Sequence, residues 1–249
     1  MRFVITGATG RMGSTLIDLL EDHPVHDLHV AVTRDLDLQE DSRFVATSDL
    51  DAHLEGADAI IDFTLPEATT RFVSTAADVG VPFISGTTGL DSDAESALDG
   101  ATEVIPVCVA SNFSIGIHAL TEAVTAAIER LDGYDIEVTE THHAGKEDAP
   151  SGTALELVAE IEAHLGDLSE RVYGREGVQP RTTGEIGIFA RRAGDIRGEH
   201  EVLIAGNDEM LSLTHRVGSR AVFAAGAITA AEWTATQPPG RYDMTDVLR

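Results

Sequence analysis

The 249-residue chain is poor in basic side chains, and lysine is almost absent from it. Lys146 is the only lysine, and 17 lysine and arginine residues face 43 acidic ones, for a formal net charge of −26. Nucleic-acid binding needs clustered basic residues, so this composition argues against a nucleic-acid partner. The charge repels itself in dilute buffer, whereas at molar salt the Debye length of about 3 Å screens it. We therefore expect a halophilic protein from a salt-rich cytoplasm.

Cysteine and long apolar runs are also scarce. Cys108 is the only cysteine, which excludes an internal disulfide and fits a reduced compartment. Its apolar neighbours favour a small core residue over a nucleophile. The longest nearly apolar stretch, residues 221–231, is too short and too rich in small residues to cross a bilayer. The opening "MRFVITGATG" predicts a strand and a glycine turn rather than a signal peptide, so we expect a cytoplasmic chain without membrane contact.

Strand and helix patterns alternate along the first 113 residues. Residues 2–5, 28–32 and 58–64 predict buried strands, and a helix is predicted between Pro66 and Gly80. Strands separated by helices indicate crossover connections and a parallel sheet.

The pattern changes after residue 113. A long helix is predicted at 115–130, and residues 199–217 predict two strands joined near Asn207 and Asp208 as a hairpin. Such strands favour an antiparallel or mixed sheet. The predicted fold class is therefore α/β, with a parallel-sheet domain at 1–113 plus 220–249 and an inserted α+β mixed-sheet domain at 114–219.

The segment "GATGRMG", residues 7–13, places three glycines after a strand and before a helix. Backbone at such a turn can approach a pyrophosphate closely, and the helix N-terminus offers amide donors and a partial positive charge. Arg11 would add a cation. An ordinary strand-to-helix turn is the alternative, but its position at the first crossover favours a dinucleotide and a Rossmann-type domain.

The end of the second predicted strand bears on the choice of cofactor. Thr33 stands at its tip and Arg34 follows, and an arginine there suits the 2′-phosphate of NADPH. Asp35 leaves NADH as an alternative cofactor. A simpler alternative is that Arg34 is a solvated loop residue without a role in binding. The loops "GTTG" at 86–89 and "ASNF" at 110–113 follow later parallel strands, where ligands of such sheets bind, so we expect them to face the nicotinamide.

The segment "ETHHAGKEDAPSGTA", residues 140–154, combines a helix start with titratable groups. Thr153 and Glu156 match a capping box, which predicts a helix beginning near Thr153. The amides of Gly152 and Thr153 would then form an anion site.

The same segment holds the lone Lys146, whose ammonium suits a substrate carboxylate. His142 and His143 titrate near neutrality and can donate a proton. A surface histidine pair is one alternative, and a metal site of His142, His143 and Asp148 is another. Lys146 would place a cation beside that metal, and the spacing fits no standard zinc pattern, so we predict no metal. These residues indicate an anionic substrate that must be protonated.

Residues 137–154, "EVTETHHAGKEDAPSGTA", resemble the signature of the 4-hydroxy-tetrahydrodipicolinate reductase family, also called dihydrodipicolinate reductase, at every fixed position. Other segments resemble further blocks of that family in the same order: "GATGRMG", "DFTLPEAT", "GTTG", "ASNFSIG", "RAGDIRGEH" and "GRYDMTDVL". The resemblance covers essentially the whole chain.

The resemblance implies a Rossmann domain, an inserted sheet domain that forms a homotetramer, and NADPH- or NADH-dependent reduction of a cyclic dicarboxylate in the diaminopimelate and lysine pathway. By position, His142 resembles the proton donor and acceptor, and Lys146 the second proton donor. The implied substrate contacts are His143, Lys146, Ser151, Gly152 and Thr153. The implied cofactor contacts are Gly7, Ala8, Thr9, Gly10, Arg11, Met12, Arg34, Gly86, Thr87, Thr88, Ala110, Ser111, Asn112 and Phe113.

Two positions depart from the family pattern. Thr33 replaces an acid that often holds the adenosine ribose, and Leu65 replaces an arginine of some members. Both departures affect the prediction of which cofactor, NADH or NADPH, is preferred. Another Rossmann enzyme of amino-acid metabolism, such as an aspartate or homoserine dehydrogenase, shares the glycine turn but does not explain residues 142–154. A cofactor-binding sensor without catalysis would not need His142 and Lys146.

Overall fold

The computed structural model describes residues 1–34, 41–166 and 170–249. The chain forms two compact units. The first domain comprises Met1–Ile115 and Arg220–Arg249, and the second comprises Gly116–Ser219.

The first domain is built on a parallel sheet. Its described strands are β1 (Arg2–Thr6), β2 (Asp27–Thr33), β3 (Phe44–Ala46), β4 (Ala59–Asp62), β5 (Phe83–Ser85), β6 (Pro106–Val109) and β12 (Gly240–Tyr242). They lie in the order β12-β6-β5-β4-β1-β2-β3, and every pair is parallel. The strand order reverses between β1 and β4, which is where open α/β sheets bind ligands.

Helices connect these strands. They are α1 (Arg11–Glu21), α2 (Pro66–Val79), α3 (Ser92–Ala101), α6 (Ala221–Thr234) and α7 (Met244–Val247), with a 3₁₀ turn at Thr47–His53. The ends of α2 confirm the prediction from Pro66 and Gly80. Pro66 occupies the first turn, where its missing N–H costs nothing, and Gly80 ends the helix with a left-handed φ of 76°.

The sheet of the first domain is apolar on both faces, as a parallel sheet between helices requires. Phe3 and Ile5 pack with α1 and α6 on one face, while Val4 and Phe83 pack with α2 and α3 on the other. Cys108 is fully buried, and burial raises the pKa of its thiol to about 12. The thiol therefore stays protonated, which confirms the prediction of a small core residue.

The second domain contains a mixed sheet. Its described strands are β7 (Asp135–His142), β8 (Glu170–Tyr173), β9 (Glu185–Arg192), β10 (Gly198–Gly206) and β11 (Glu209–Val217). They lie in the order β11-β10-β7-β9-β8, with antiparallel pairs on one side of β7 and parallel pairs on the other. Helices α4 (Ile115–Ile128) and α5 (Gly152–Leu165) share one apolar core with β7, β9 and β10.

The predicted hairpin is confirmed. Asn207 and Asp208 join β10 to β11 with φ values of 50° and 61°, the left-handed pair that a two-residue hairpin turn requires. The predicted fold class, a parallel-sheet domain with an inserted mixed-sheet domain, is likewise confirmed. No helix within residues 1–34, 41–166 and 170–249 is long and apolar enough to span a bilayer.

A glycine substitution tests the packing of the glycine turn. A Cβ on Gly13 would lie 2.2 Å from the carbonyl oxygen of Gly7 and 2.7 Å from Cα of Ala8, so backbone would have to move. We expect Gly13→Ala to lower the free energy of unfolding by about 1–3 kcal/mol. Gly100, a helical glycine with open space at its Cβ, is the matched control. Gly100→Ala should stabilise by up to about 1 kcal/mol. Urea titration measures both, and an unchanged Gly13→Ala would contradict the close approach.

Candidate active site

A buried carboxylate, Glu140 on β7, lies at the centre of the polar cluster of the second domain. Arg192 on β9 binds it with two nitrogens, at 2.7 and 2.8 Å from its two oxygens. The backbone amide of Ser151 donates to it at 3.0 Å. Burial alone would raise the pKa of Glu140, but the hydrogen bonds from Arg192 and His142 outweigh it and lower that pKa. Glu140 is therefore an ionised, fully paired group.

His142 lies at the end of β7 with its Nδ1 2.6 Å from Glu140 Oε2. An ionised Glu140 accepts from Nδ1–H, so Nε2 is the ring nitrogen that this bond leaves free. Nε2 points past Gly198 of β10, where an added Cβ would lie 3.2 Å away. The sequence prediction of a proton-donating histidine therefore has a defined ring nitrogen in the structure.

A second histidine, His200 on β10, packs edge-on against His142 with ring centroids 5.3 Å apart. Burial, followed by the neighbouring His142, lowers the pKa of His200 to about 4, so it is neutral at pH 7. Its Nε2 lies 3.1 Å from the hydroxyl of Ser151. His200 thus holds Ser151 and places no second positive charge beside His142.

The start of α5 corrects one prediction. The N-cap is Ser151, whose hydroxyl accepts from the amide of Ala154, and the helix begins at Gly152. Thr153 is the second helical residue, so the capping box predicted from Thr153 and Glu156 is wrong. Both Ser and Thr cap helices well, and contacts from Glu140 and His200 fix Ser151 in that role. The first-turn amides at Gly152 and Thr153 remain at a helix N-terminus, where anions bind.

Lys146 lies on the loop between β7 and α5, with Nζ 2.8 Å from Asp148 Oδ1. Its side chain is about three-quarters buried, and its hydrogen bond lowers the pKa of Asp148. Arg192 donates to the carbonyl oxygens of Lys146 and Asp148 as well as to Glu140. His143 is half-buried, and its carbonyl oxygen accepts from the amide of Lys146. Arg192 thus joins the loop that carries Lys146 to the carboxylate that orients His142.

The structure brings together most of the predicted substrate residues and adds three that the sequence analysis missed. Glu140, Arg192 and His200 organise the cluster. Glu140 lies in residues 140–154, whereas Arg192 and His200 are the two ends of the segment "RAGDIRGEH", whose residues received no predicted role. The alternation of β7, with Ile136 and Val138 in the core, places Glu140 and His142 on the same face and could have indicated the pair. Within residues 1–34, 41–166 and 170–249, no three or more His, Cys, Asp or Glu side chains gather to hold a metal.

In the first domain, the glycine turn has the geometry of an anion site. Gly7 adopts φ +73°, and a Cβ on it would meet Phe63 and Thr64 at 2.9 Å. Gly10 is the N-cap of α1 and brings no side chain to its first turn. The amides of that turn therefore suit a phosphate, and Arg11 and Met12 begin the helix. This backbone fits a dinucleotide pyrophosphate.

The tip of β2 is tied to the glycine turn. Thr9 Oγ1 lies 3.0 Å from Thr33 Oγ1, and Thr33 is buried. Thr33 therefore supports the turn from within the fold. Arg34 is exposed at the strand end, and Asp35 lies outside the described residues.

The other predicted cofactor loops follow β5 and β6. Thr87 is buried and its hydroxyl points into the domain, whereas Thr88 is exposed. After β6, Ala110 is partly buried and Ser111 is exposed, while Phe113 is buried and its ring meets Phe63 edge-on at 5.7 Å. Asn112 accepts from the amide of Ser114 and fixes the turn into α4. Gly86 completes this edge, and its close contact with Phe63 leaves no space for a Cβ.

The fold and the glycine turn place the chain among two-domain proteins of the Rossmann type. The family model for the dihydrodipicolinate reductase N-terminus matches residues 1–113, and that for the C-terminus matches residues 116–248. The chain therefore belongs to the dihydrodipicolinate reductase family.

Individual relatives agree with this assignment. The chain is 48% identical to the 4-hydroxy-tetrahydrodipicolinate reductase of Natronomonas pharaonis, over 100% of both chains. It is 43% identical to that of Haloarcula marismortui, over 99% of this chain and 98% of the relative. A solved structure, the dipicolinate-bound dihydrodipicolinate reductase of Paenisporosarcina sp. TG-14, shares the fold with a TM-score of 0.82 at 20% identity, over 98% of this chain and 97% of that one.

Replacing the central carboxylate tests the cluster. Glu140→Gln leaves Arg192 without its buried counter-charge, so we expect the free energy of unfolding at pH 7 to fall by about 3 kcal/mol. Because the folded-state pKa of Glu140 is lowered, its contribution is complete at neutral pH and is lost as pH falls through that lowered pKa. Urea titrations should show a smaller difference in the free energy of unfolding between wild type and Glu140→Gln below pH 4 than at pH 7.

A partly exposed ion pair provides the control. Glu199 pairs with Arg216. We expect Glu199→Gln to lower the free energy of unfolding by less than about 1 kcal/mol. Equal losses for Glu140→Gln and Glu199→Gln, or a gap that widens in acid, would contradict the central role of Glu140.

Proposed function

We propose that the chain reduces 4-hydroxy-tetrahydrodipicolinate to tetrahydrodipicolinate with NADPH or NADH, in the biosynthesis of diaminopimelate and lysine. The observation that carries this proposal is the histidine–carboxylate pair, His142 and Glu140, on the same polar cluster as the lone lysine. Membership of the dihydrodipicolinate reductase family supports it.

The second domain would bind the dicarboxylate substrate. Lys146 and the amides of Gly152 and Thr153 provide positive charge and donors for one carboxylate, with His143 and Ser151 beside them. Lys146 is paired with Asp148 in this structure. A substrate carboxylate would compete with Asp148 for the ammonium. Binding would therefore replace one carboxylate partner of Lys146 with another.

The first domain would hold the dinucleotide. When bound, the reduced nicotinamide supplies the hydride. The turn from Gly7 to Met12 would bind the pyrophosphate, and Arg34 would reach the adenosine ribose. The loops Gly86–Thr88 and Ala110–Phe113 would flank the nicotinamide.

Reduction also requires a proton, which His142 would donate from Nε2, and the 4-hydroxyl of the substrate would leave as water. Glu140 at 2.6 Å stabilises the imidazolium and fixes the ring, so the proton leaves from Nε2 and not from Nδ1. His200 is neutral at pH 7, so it does not repel the positive charge of a protonated His142. Lys146 would hold the substrate carboxylate and act as the second proton donor.

Replacing the two proposed donors tests this chemistry. His142→Gln and Lys146→Ala should each lower kcat by about 10²–10⁴-fold, because the first loses proton transfer and the second loses the ammonium. Lys146→Ala should also raise KM for the dicarboxylate, whereas Lys146→Arg should recover part of the binding but little of kcat. A coupled assay at molar KCl, with synthase, pyruvate and aspartate semialdehyde, measures oxidation of NADPH and NADH.

His164 supplies the histidine control, since it is exposed and its ring bonds the backbone of Glu160. His164→Gln should retain wild-type turnover. Unchanged turnover in His142→Gln or Lys146→Ala would overturn the assignment of roles. Cofactor oxidation with aspartate semialdehyde alone would instead favour an aspartate or homoserine dehydrogenase-like activity.

We infer further that the protein is a cytoplasmic homotetramer adapted to high salt, with 114–219 as the substrate-binding and oligomerisation domain. The net charge of −26 and the exposed strand β11 support this. Gel filtration in molar KCl should give four times the chain mass of 26.4 kDa. Elution as a monomer would contradict the tetramer.

The same charge predicts salt-dependent stability. Raising KCl from 0.1 to 2 M should increase the thermal midpoint by at least about 5 °C, or roughly 2 kcal/mol at this size, because the carboxylate repulsion is screened. Differential scanning calorimetry measures the shift, and sucrose of equal osmolality controls for general exclusion effects. A midpoint that is unchanged or lower in KCl, or one raised equally by sucrose, would contradict adaptation through charge.

A further inference from the structure

A second buried carboxylate, Asp62, ends β4 in the first domain, next to the point where the strand order reverses. Threonine hydroxyls surround it. Thr6 and Thr64 donate to Oδ1, each at 2.6 Å, while Thr69 and Thr87 donate to Oδ2 at 2.6 and 2.9 Å. A carboxylate offers two lone pairs on each oxygen, so the four hydroxyls fill its acceptor positions.

This cluster differs from the one around Glu140 in its lack of a cation. Among the residues that the structure describes, no lysine, arginine or histidine forms an ion pair with Asp62. Four neutral donors hold the carboxylate instead, and a buried carboxylate needs every one of them. Its geometry is thus fixed from several elements, because Thr6 ends β1, Thr64 follows β4, Thr69 lies in α2 and Thr87 follows β5.

The loop that Asp62 holds is packed between the glycines of two predicted cofactor segments. A Cβ on Gly7 would lie 2.9 Å from the carbonyl oxygen of Phe63 and from the methyl of Thr64, and a Cβ on Gly86 would lie 2.1 Å from the Phe63 ring. The Phe63 ring also contacts Phe113. The amide of Thr64 donates to the hydroxyl of Thr87 at 3.2 Å. Any displacement of Phe63 and Thr64 therefore moves all three segments.

We propose that Asp62 is the positioning residue of the dinucleotide site, setting the turn at Gly7, the loop at Gly86 and the segment at Phe113 through its four threonines and Phe63. This inference rests on the proposed function for the identity of the ligand. Asp62 itself is fully buried and is not a ligand contact. Its proposed effect is to fix the backbone positions of Gly7 and Gly86 relative to each other.

The test uses Asp62→Asn, which keeps the shape but replaces one acceptor oxygen with an NH₂ donor. That donor cannot accept from the two threonines that meet it, so their hydroxyls must turn to accept from the NH₂ and lose the directions that they have in the wild-type protein. We expect the Kd for NADPH and for NADH, measured by their fluorescence on binding, to rise roughly tenfold or more and by similar factors. The similar factors follow because the four hydrogen bonds to Asp62 do not involve Arg34, the residue predicted to contact the 2′-phosphate.

Three further measurements separate positioning from general damage. At saturating cofactor, kcat should fall by a smaller factor than the Kd rises, because the proposed proton donors of the second domain are unchanged. The Kd for pyridine-2,6-dicarboxylate, measured without cofactor, should be unchanged, because its proposed site is in the second domain. Thr234→Val removes a buried threonine of the first domain outside the cluster and should leave the NADPH Kd at the wild-type value.

If Asp62→Asn does not fold, Thr64→Val is the second variant, since it deletes one donor and keeps the side-chain shape. A folded Asp62→Asn or Thr64→Val with an NADPH Kd within twofold of wild type would overturn the proposal. Equal weakening of the dicarboxylate, or an equal loss in Thr234→Val, would also overturn it. The fluorescence assay needs no turnover. A wild-type protein that binds NADPH but reduces no substrate would contradict the proposed function, while the Kd of Asp62→Asn would still test this inference.

Discussion

The buried ion pair between Glu140 and Arg192 is the interaction on which the second domain's site depends. A lone carboxylate in that position would be driven toward protonation by burial, and a protonated Glu140 would carry no negative charge to hold the Nδ1–H of His142. The bidentate guanidinium keeps it ionised and also grips the loop that carries Lys146. Arg192 thereby supports His142 and the amide of Ser151 through Glu140, and it bonds the lysine loop directly.

The two domains solve the problem of a buried carboxylate in different ways. Glu140 is paired with a cation, which keeps it ionised beside the His142 ring. Asp62 is held by four hydroxyls, which add no net positive charge and fix direction through short, oriented bonds. In both cases the carboxylate lies at or near the carboxyl end of a strand, and the loops that follow inherit their geometry from it.

The acidic surface and the lone lysine belong to the same physical account. A chain with 43 acidic residues has little use for ammonium groups on its surface, where arginine already provides its ion pairs. Lys146 is largely buried beside Asp148, so its role differs from that of a solubilising side chain. A compact ammonium on a flexible stem can transfer from Asp148 to another carboxylate, which a rigid guanidinium does less readily.

By itself the sequence determined the elements whose causes are local: the glycine turn, the ends of α2, the left-handed pair Asn207 and Asp208, and the strand periodicity that separates a parallel from a mixed sheet. The signature segment also indicated His142 and Lys146. Tertiary structure alone decided which groups act on them, because Arg192 is 52 residues from Glu140 and Ser151 is 49 from His200. Tertiary contacts also hold Ser151 rather than Thr153 as the cap, since both residue types cap helices and Ser151 alone is bonded by Glu140 and His200. The threonines around Asp62 carry no periodic signal, so their convergence follows from strand order, which brings β1, β4 and β5 side by side.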